Sequence, residues 1–319
     1  MKKILVVGGA GYIGAHVAYL LQENGYGVRI YDDFSNGLHR RVDGKFRDIV
    51  EGDMLDRAKL LAALDGIDAV IHLAAKKAVE ESVKYPLKYY ENNVGGTLNL
   101  LGAMAVRGVN KLIFSSSASV YAPSGKDSLS EDDPTSPISP YGASKLLSEQ
   151  LISSIGSAEK ISNISLRYFN VAGSASSALG DNSKDNLIPK VFLALKSGQR
   201  PQIYGTDYPT PDGTCIRDYI HVQDLAKAHF SALKRAEAGY VSQVYNVGSG
   251  KGYSVKEVMN EISRTIGRDI STEELDARPG DPPKCIASIK MIDLELGWKP
   301  ESSLKEIIGS AWQAEVART

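Results

Sequence analysis

Three serines, a tyrosine and a lysine in this chain have the types and spacing needed to move a proton. Tyr141 and Lys145 lie four apart in a run with helical patterning, so one helix face would carry both, and Pro140 just ahead suits the first helical position. A phenol titrates near ~10 and is a poor base at neutral pH, but an ammonium within a few ångströms favours its phenolate. Lowering it by ~3 units takes about 4 kcal/mol of differential stabilisation, which two nearby cations in a partly dry cleft can supply. A tyrosine so tuned serves as general base toward a sugar hydroxyl. Ser115-Ser116-Ser117 follows the apolar run from Lys111, so that Ser117 stands at a strand's carboxyl end, where its hydroxyl could bridge substrate and tyrosine.

Tyr-x-x-x-Lys alone is common by chance; what surrounds it gives it meaning. Lys3-Ile4-Leu5-Val6-Val7 is long enough for a buried strand and too short for a helix. Gly8, Gly11 and Gly14 follow at once, then apolar residues at helical spacing up to Asn24-Gly25, then the strand pattern Val28-Arg29-Ile30-Tyr31 ending at Asp32-Asp33. Strand, glycine turn, helix and acid-tipped strand make the setting of a dinucleotide fingerprint, with phosphates at the helix N-terminus. Asp32 would accept hydrogen bonds from both adenosine ribose hydroxyls and repel a 2′-phosphate, which favours NAD over NADP. The parts together imply an oxidation that uses NAD.

Further strand patterns begin at Ala69, Lys111, Ile161 and Val244, and helical patterns cover Ala58–Leu64, Tyr89–Arg107 and Tyr141–Ile155. Strands alternating with helices predict an α/β fold, a doubly wound parallel sheet of the Rossmann kind, with a second, smaller α/β substrate domain. The expected division puts residues 1–169 plus about 220–250 in the nucleotide domain. About 170–219 plus 251–319 form the substrate domain.

Lys+Arg number 37 against Asp+Glu 38 in 319 residues, a formal net charge of −1, so bulk charge points to no nucleic acid. Two cysteines make no disulfide scaffold, and neither they nor the five histidines have metal-site spacing. No run approaches membrane-spanning length, and the opening apolar run breaks at Gly8. The expectation is a soluble, cytoplasmic protein without metal.

Gly8–Gly14, Ser117 and Tyr141-Gly142-Ala143-Ser144-Lys145 resemble the motifs of the extended short-chain dehydrogenase/reductases, over nearly the whole chain. Tyr89-Tyr90-Glu91-Asn92-Asn93, Arg167-Tyr168-Phe169-Asn170, Asn186-Leu187-Ile188-Pro189, the run Asp207–Thr214 and Arg217-Asp218-Tyr219-Ile220-His221-Val222 sharpen the resemblance. It is closest to members that epimerise UDP-hexoses at C4. The resemblance implies catalysis by Ser117, Tyr141 and Lys145. It places Gly8, Gly11, Tyr12, Ile13 and Gly14 on NAD, with Asp32, Asp33, Ser35, Asn36 and Gly37 at the ribose and Asp53 and Met54 at the adenine. Leu73, Ala74, Ala75, Lys77, Asn92 and Ser115 would line the rest, beside Tyr141 and Lys145, with Phe169 near the nicotinamide. For the UDP-sugar it implies Ser117, Tyr141, Asn170, Asn186, Leu187, Tyr204, Arg217, Tyr219, Arg278, Asp281 and Cys285. Arg217 and Arg278 suit a diphosphate, and Tyr204 suits a stacked uracil.

In the implied mechanism Tyr141 takes the C4 hydroxyl proton while C4 gives hydride to NAD, and the 4-keto sugar turns before hydride returns. Cys285 stands where many such enzymes have tyrosine, which predicts room for N-acetylated UDP-hexosamines; Glu80 stands where glycine is frequent, and residues 174–185 match poorly. A 4,6-dehydratase would need an Asp-Glu pair after Ser117, and Ala118-Ser119-Val120 follows instead. A 4-epimerase of uronates or pentoses stays open, as does a nucleotide-sensing protein on a dehydrogenase fold. Apolar residues on more than one face of the helical patterns, including Leu98, Leu101, Met104, Leu147 and Leu151, together with the resemblance, predict a homodimer.

Overall fold

The computed structural model describes residues 1–278 and 280–318. β1 (Lys3–Val7) turns into α1 (Tyr12–Glu23), followed by β2 (Gly27–Asp32), β3 (Ile49–Glu51), α2 (Arg57–Ala63) and β4 (Ala69–His72). Two short helices, α3 (Val79–Lys84) and α4 (Pro86–Tyr89), lead to α5 (Gly96–Arg107), β5 (Lys111–Ser115), α6 (Pro140–Ala158) and β6 (Ser162–Tyr168). The chain then leaves this layer through β7 (Asn170–Ala172), α7 (Leu187–Lys196), β8 (Gln202–Tyr204) and β9 (Ile216–His221). It returns through α8 (Val222–Ala238) and β10 (Ser242–Val247). β11 (Gly252–Ser254), α9 (Val255–Ile266), β12 (Glu273–Leu275), β13 (Lys284–Cys285), α10 (Lys290–Leu296) and α11 (Leu304–Val316) complete it.

Seven strands form one parallel sheet in the order β10-β6-β5-β4-β1-β2-β3. The order reverses between β1 and β4, and such a switch point opens a crevice at the strands' carboxyl ends. Alternation along β1 sends Ile4 and Val6 into one core, with Val17 and Leu21 of α1 and Leu225 and Leu233 of α8. Leu5 and Val7 enter the other, with Leu60 of α2, Leu100 and Met104 of α5 and Ile152 of α6. Each such side chain, fully buried, contributes ~1.5–3 kcal/mol over leaving it exposed.

In the smaller lobe β9 pairs parallel with β7 and β13 and antiparallel with β11, while β8 pairs with β12. Ile188 and Phe192 of α7, Val258 and Ile262 of α9 and Ile307 and Ile308 of α11 enclose its core. α10, although inside the 251–319 stretch, packs on α8 and β10, and Ile292 and Trp298 join the core of the large sheet.

One helical pattern is broken. Tyr89–Arg107 is not a single helix, because Tyr90–Gly95 winds as a wider π-helical turn ahead of α5. Asn93 explains the widening: its amide accepts from Lys76 N (2.8 Å) and donates to Lys76 O (3.0 Å), drawing the turn toward the loop after β4. β3 also escaped the pattern, since three residues with Glu51 exposed carry too little periodicity.

Candidate active site

The turn between β1 and α1 is shaped by absent side chains. Gly8 has φ +82°, and a Cβ on Gly14 would lie 2.1 Å from the Gly8 carbonyl oxygen, so α1 can start this close only on glycine. Gly11 caps α1 without a side chain, which leaves the first-turn N–H groups uncovered by a capping group. Asp32, at the end of β2, accepts from Ala10 N and Phe34 N at 2.9 Å each. Burial pushes its carboxyl above the ordinary value, against the pull of those backbone donors. A glycine cradle, an uncapped helix start and a strand-end carboxylate fit a dinucleotide.

The expected proton-transfer group meets across two elements. Ser117 follows β5, and its Oγ accepts from Ser119 N (3.1 Å) at the head of a 3₁₀ turn. Pro140 opens α6, and Ser139 caps it through Gly142 N (3.1 Å). A Cβ on Gly142 would lie 2.2 Å from the Ser119 carbonyl oxygen, so this contact sets Tyr141 beside Ser117. Tyr141 is 7% exposed and hydrogen-bonded to Ser117. Burial holds its phenol above the ordinary value, and the Ser117 bond opposes it. The spacing argument had the phenol lowered by two nearby cations; the protein's own groups around Tyr141 push it the other way. The ammonium of Lys145 is directed elsewhere, donating to Ser115 O (2.7 Å) and lying 4.8 Å from the Phe114 ring centroid. Burial pulls Lys145 itself down to about 7, against the Glu149 carboxylate.

Beneath the serines lies a buried network that the sequence did not disclose. Ser116 donates to Glu149, which pairs with Arg167 (2.7 Å). Arg167 reaches Tyr121 (3.0 Å), whose hydroxyl donates to Asn246 (2.7 Å). α6, β6, the 3₁₀ turn and β10 are thereby fixed around the serine loop. Asn93 was passed over for its neighbour Asn92; its amide also donates to Ser144 Oγ (2.9 Å) on the Tyr141 helix. The double asparagine was the available signal, but only the fold tells the two apart.

One cleft of about 1210 Å³ runs from Gly8, Gly11 and Gly14 past Asp32, Asn92, Ser117, Tyr141 and Lys145 to Arg217, Arg278 and Asp281. Tyr12, Ile13, Asp33, Ser35, Asn36, Gly37, Asp53, Met54, Leu73, Ala74, Ala75, Lys77 and Phe169 line it as well. So do Asn170, Asn186, Leu187, Tyr204 and Tyr219. Two expected residues do not. Ser115 is fully buried with its hydroxyl on His229 (2.7 Å) and bonded to Tyr168, and its carbonyl accepts from Lys145. Cys285 pairs with Arg217 across β13 and β9 and packs against the cluster of Tyr121 and Phe169. Burial pushes its thiol up to about 11. At the far end Arg278 lies over the Tyr204 ring (4.0 Å) and within 3.9 Å of Glu80, while Arg217 donates to Pro282 O (2.8 Å) and lies 3.6 Å from Asp281. Among the described residues no cluster of three or more His, Cys, Asp or Glu could hold a metal ion, and no helix is long and apolar enough to cross a membrane.

Residues 4–248 match the sequence model of the NAD dependent epimerase/dehydratase family. The chain is 44% identical over 315 residues to the UDP-glucose 4-epimerase of Corynebacterium glutamicum, covering 97% of this chain and 94% of that one. The UDP-glucose 4-epimerase of Bifidobacterium longum, solved with NAD+ and UDP, superposes with a TM-score of 0.92 at 38% identity, over 99% of this chain and 98% of that one. The UDP-Glc/GlcNAc 4-epimerase of Campylobacter jejuni gives a TM-score of 0.87 at 37% identity, over 99% and 100%.

Proposed function

The chain belongs to the NAD dependent epimerase/dehydratase family, and from that premise we propose that it interconverts UDP-glucose and UDP-galactose by epimerisation at C4. The observation that carries this reading is that Tyr141, bonded to Ser117, lines a cleft with the glycine cradle at one end and Arg217 and Arg278 at the other. A nucleotide sugar laid along it would bring its diphosphate to the arginines and its hexose to the phenol.

When bound, NAD supplies the hydride acceptor for C4 and the donor for its return. The protein's share is proton transfer and positioning. Tyr141 takes the 4-hydroxyl proton and gives it back, with the Ser117 hydroxyl steadying the oxygen that changes hands. Lys145, one turn along α6 from Tyr141 and anchored on the Ser115 carbonyl, favours the phenolate when its amine is protonated. Arg217 and Arg278 retain the nucleotide half while the hexose, held by fewer polar groups, turns. Dehydration is disfavoured: Ala118-Ser119-Val120, with no acid, directly follows Ser117, and Glu149 is committed to Arg167.

Purified protein given UDP-galactose without added cofactor should form UDP-glucose. Tyr141→Phe should lose about 10²-fold or more of kcat while still binding UDP; near-parental turnover in that variant would overturn the assignment.

Cys285 stands behind the cleft lining, against the cluster that contains Phe169, which does line it; we infer that its compact side chain leaves that lining room to accept N-acetylated UDP-hexosamines as well. Cys285→Tyr should then lose UDP-N-acetylgalactosamine turnover about tenfold more than UDP-galactose turnover, in line with pocket-size discrimination. Equal losses would remove the pocket-size argument. We also infer a homodimer and a cytoplasmic setting; two free thiols suit a reducing compartment.

A further inference from the structure

Residues 173–186 leave β7 and form a strap that borders the cleft along Asp181, Asn182 and Asn186. One margin is tied to the start of α1, where Tyr12 donates to Gly173 O (2.5 Å) and His16 Nε2 accepts from Ala175 N (3.1 Å). The other is tied to α11 and its end, where Ser310 Oγ accepts from Ser174 N (3.2 Å) and Arg318 donates to Asp181 O (3.0 Å). The strap fits closely: a Cβ on Gly180 would lie 2.9 Å from that of Ala314.

Arg41 joins these parts. It is 1% exposed and lies just beyond the loop expected to hold the ribose. Its Nη2 donates to Gly180 O and Asn182 Oδ1, each at 2.8 Å, and its Nη1 reaches Ala10 O at 3.4 Å. The same Ala10 oxygen accepts from Leu38 N (3.0 Å). Nε has no hydrogen-bond partner among the described residues. Burial lowers the guanidinium to about 10, so it remains charged at neutral pH. Dinucleotide turn, ribose loop and strap therefore converge on one cation.

We propose that Arg41 is a positioning residue that keeps the strap closed beside the cofactor's pyrophosphate and ribose, and so sets how long NAD stays on the enzyme. This rests on the functional reading above and extends it from chemistry to cofactor retention. Without the guanidinium the Gly180 carbonyl is buried with no donor, which penalises the closed arrangement. NAD then escapes in proportion to the population of the open one.

Wild type, Arg41→Ala, Arg41→Lys and Asn182→Ala are loaded with NAD and desalted, and the nucleotide retained is followed over time. Limited proteolysis reports strap opening in the same samples. Arg41→Ala should release NAD about tenfold faster or more, with Asn182→Ala and Arg41→Lys between it and wild type. Cleavage within 173–186 should rise in the same order. Asn182 is exposed, so its variant keeps the test open if Arg41→Ala fails to fold. Wild-type release rates in Asn182→Ala and in any folded Arg41 variant would overturn the proposal. A wild type that takes up no NAD would instead overturn the functional reading, and this inference with it.

Discussion

Lys145 shows how far burial changes a side chain that spacing alone would leave ordinary. Only 2% of it is exposed, and burial draws its ammonium down to about 7, whereas an unfolded lysine titrates near ~10.4. The folded chain therefore holds this proton less tightly than the unfolded one. Below the folded value the buried charge opposes folding in full; between the two values stability rises with pH. In cofactor-free protein, Lys145→Met should raise Tm more at about pH 6 than at about pH 9, because it removes a charge present only at the lower pH. Equal shifts at both would mean that the ammonium is compensated by groups other than Glu149. That Tyr141, Lys145 and Ser117 come together at one cleft was legible because four-residue spacing and a strand end are local properties. The direction of the Tyr141 shift was not, since it depends on which atoms surround the phenol.

At the level of elements, the turn from β1 into α1 has no slack. Adding a methyl at Gly14 drives it against the Gly8 carbonyl, and overpacking of this kind costs about 1–3 kcal/mol. Gly14→Ala should lower Tm and weaken NAD affinity about tenfold or more by calorimetric titration; unchanged affinity would mean that the helix can retreat without disturbing the cradle. The strands of the large sheet other than β3 were readable as apolar runs because both faces are buried. The π-helical turn was not, since Asn93 is drawn aside by Lys76, a partner seventeen positions away. Arg41 was hidden for a stronger form of the same reason. Its acceptors, Gly180 and Asn182, come 139 and 141 residues later, and no window of sequence contains both ends of the contact.

For the whole molecule, α3 to α6 leave an apolar surface outside the cores. Leu101 and Met104 are buried within the protein, whereas Leu98 (50%), Leu147 (41%), Val83 (63%) and Leu87 (67%) are exposed on adjacent helices. Leu98→Arg combined with Leu147→Glu should convert the proposed dimer to monomers by light scattering while leaving the large sheet folded. A parental mass for the double variant would place the interface elsewhere. The path of the chain through the sheet has a further consequence for synthesis. β6 ends at Tyr168, but its outer neighbour β10 starts only at Ser242, after an excursion through the other lobe. On the ribosome, the nascent protein therefore carries a bare hydrogen-bonding rim along β6 for more than seventy further codons. Such rims recruit foreign strands, so clumping of truncated or slowly translated products should begin at β6.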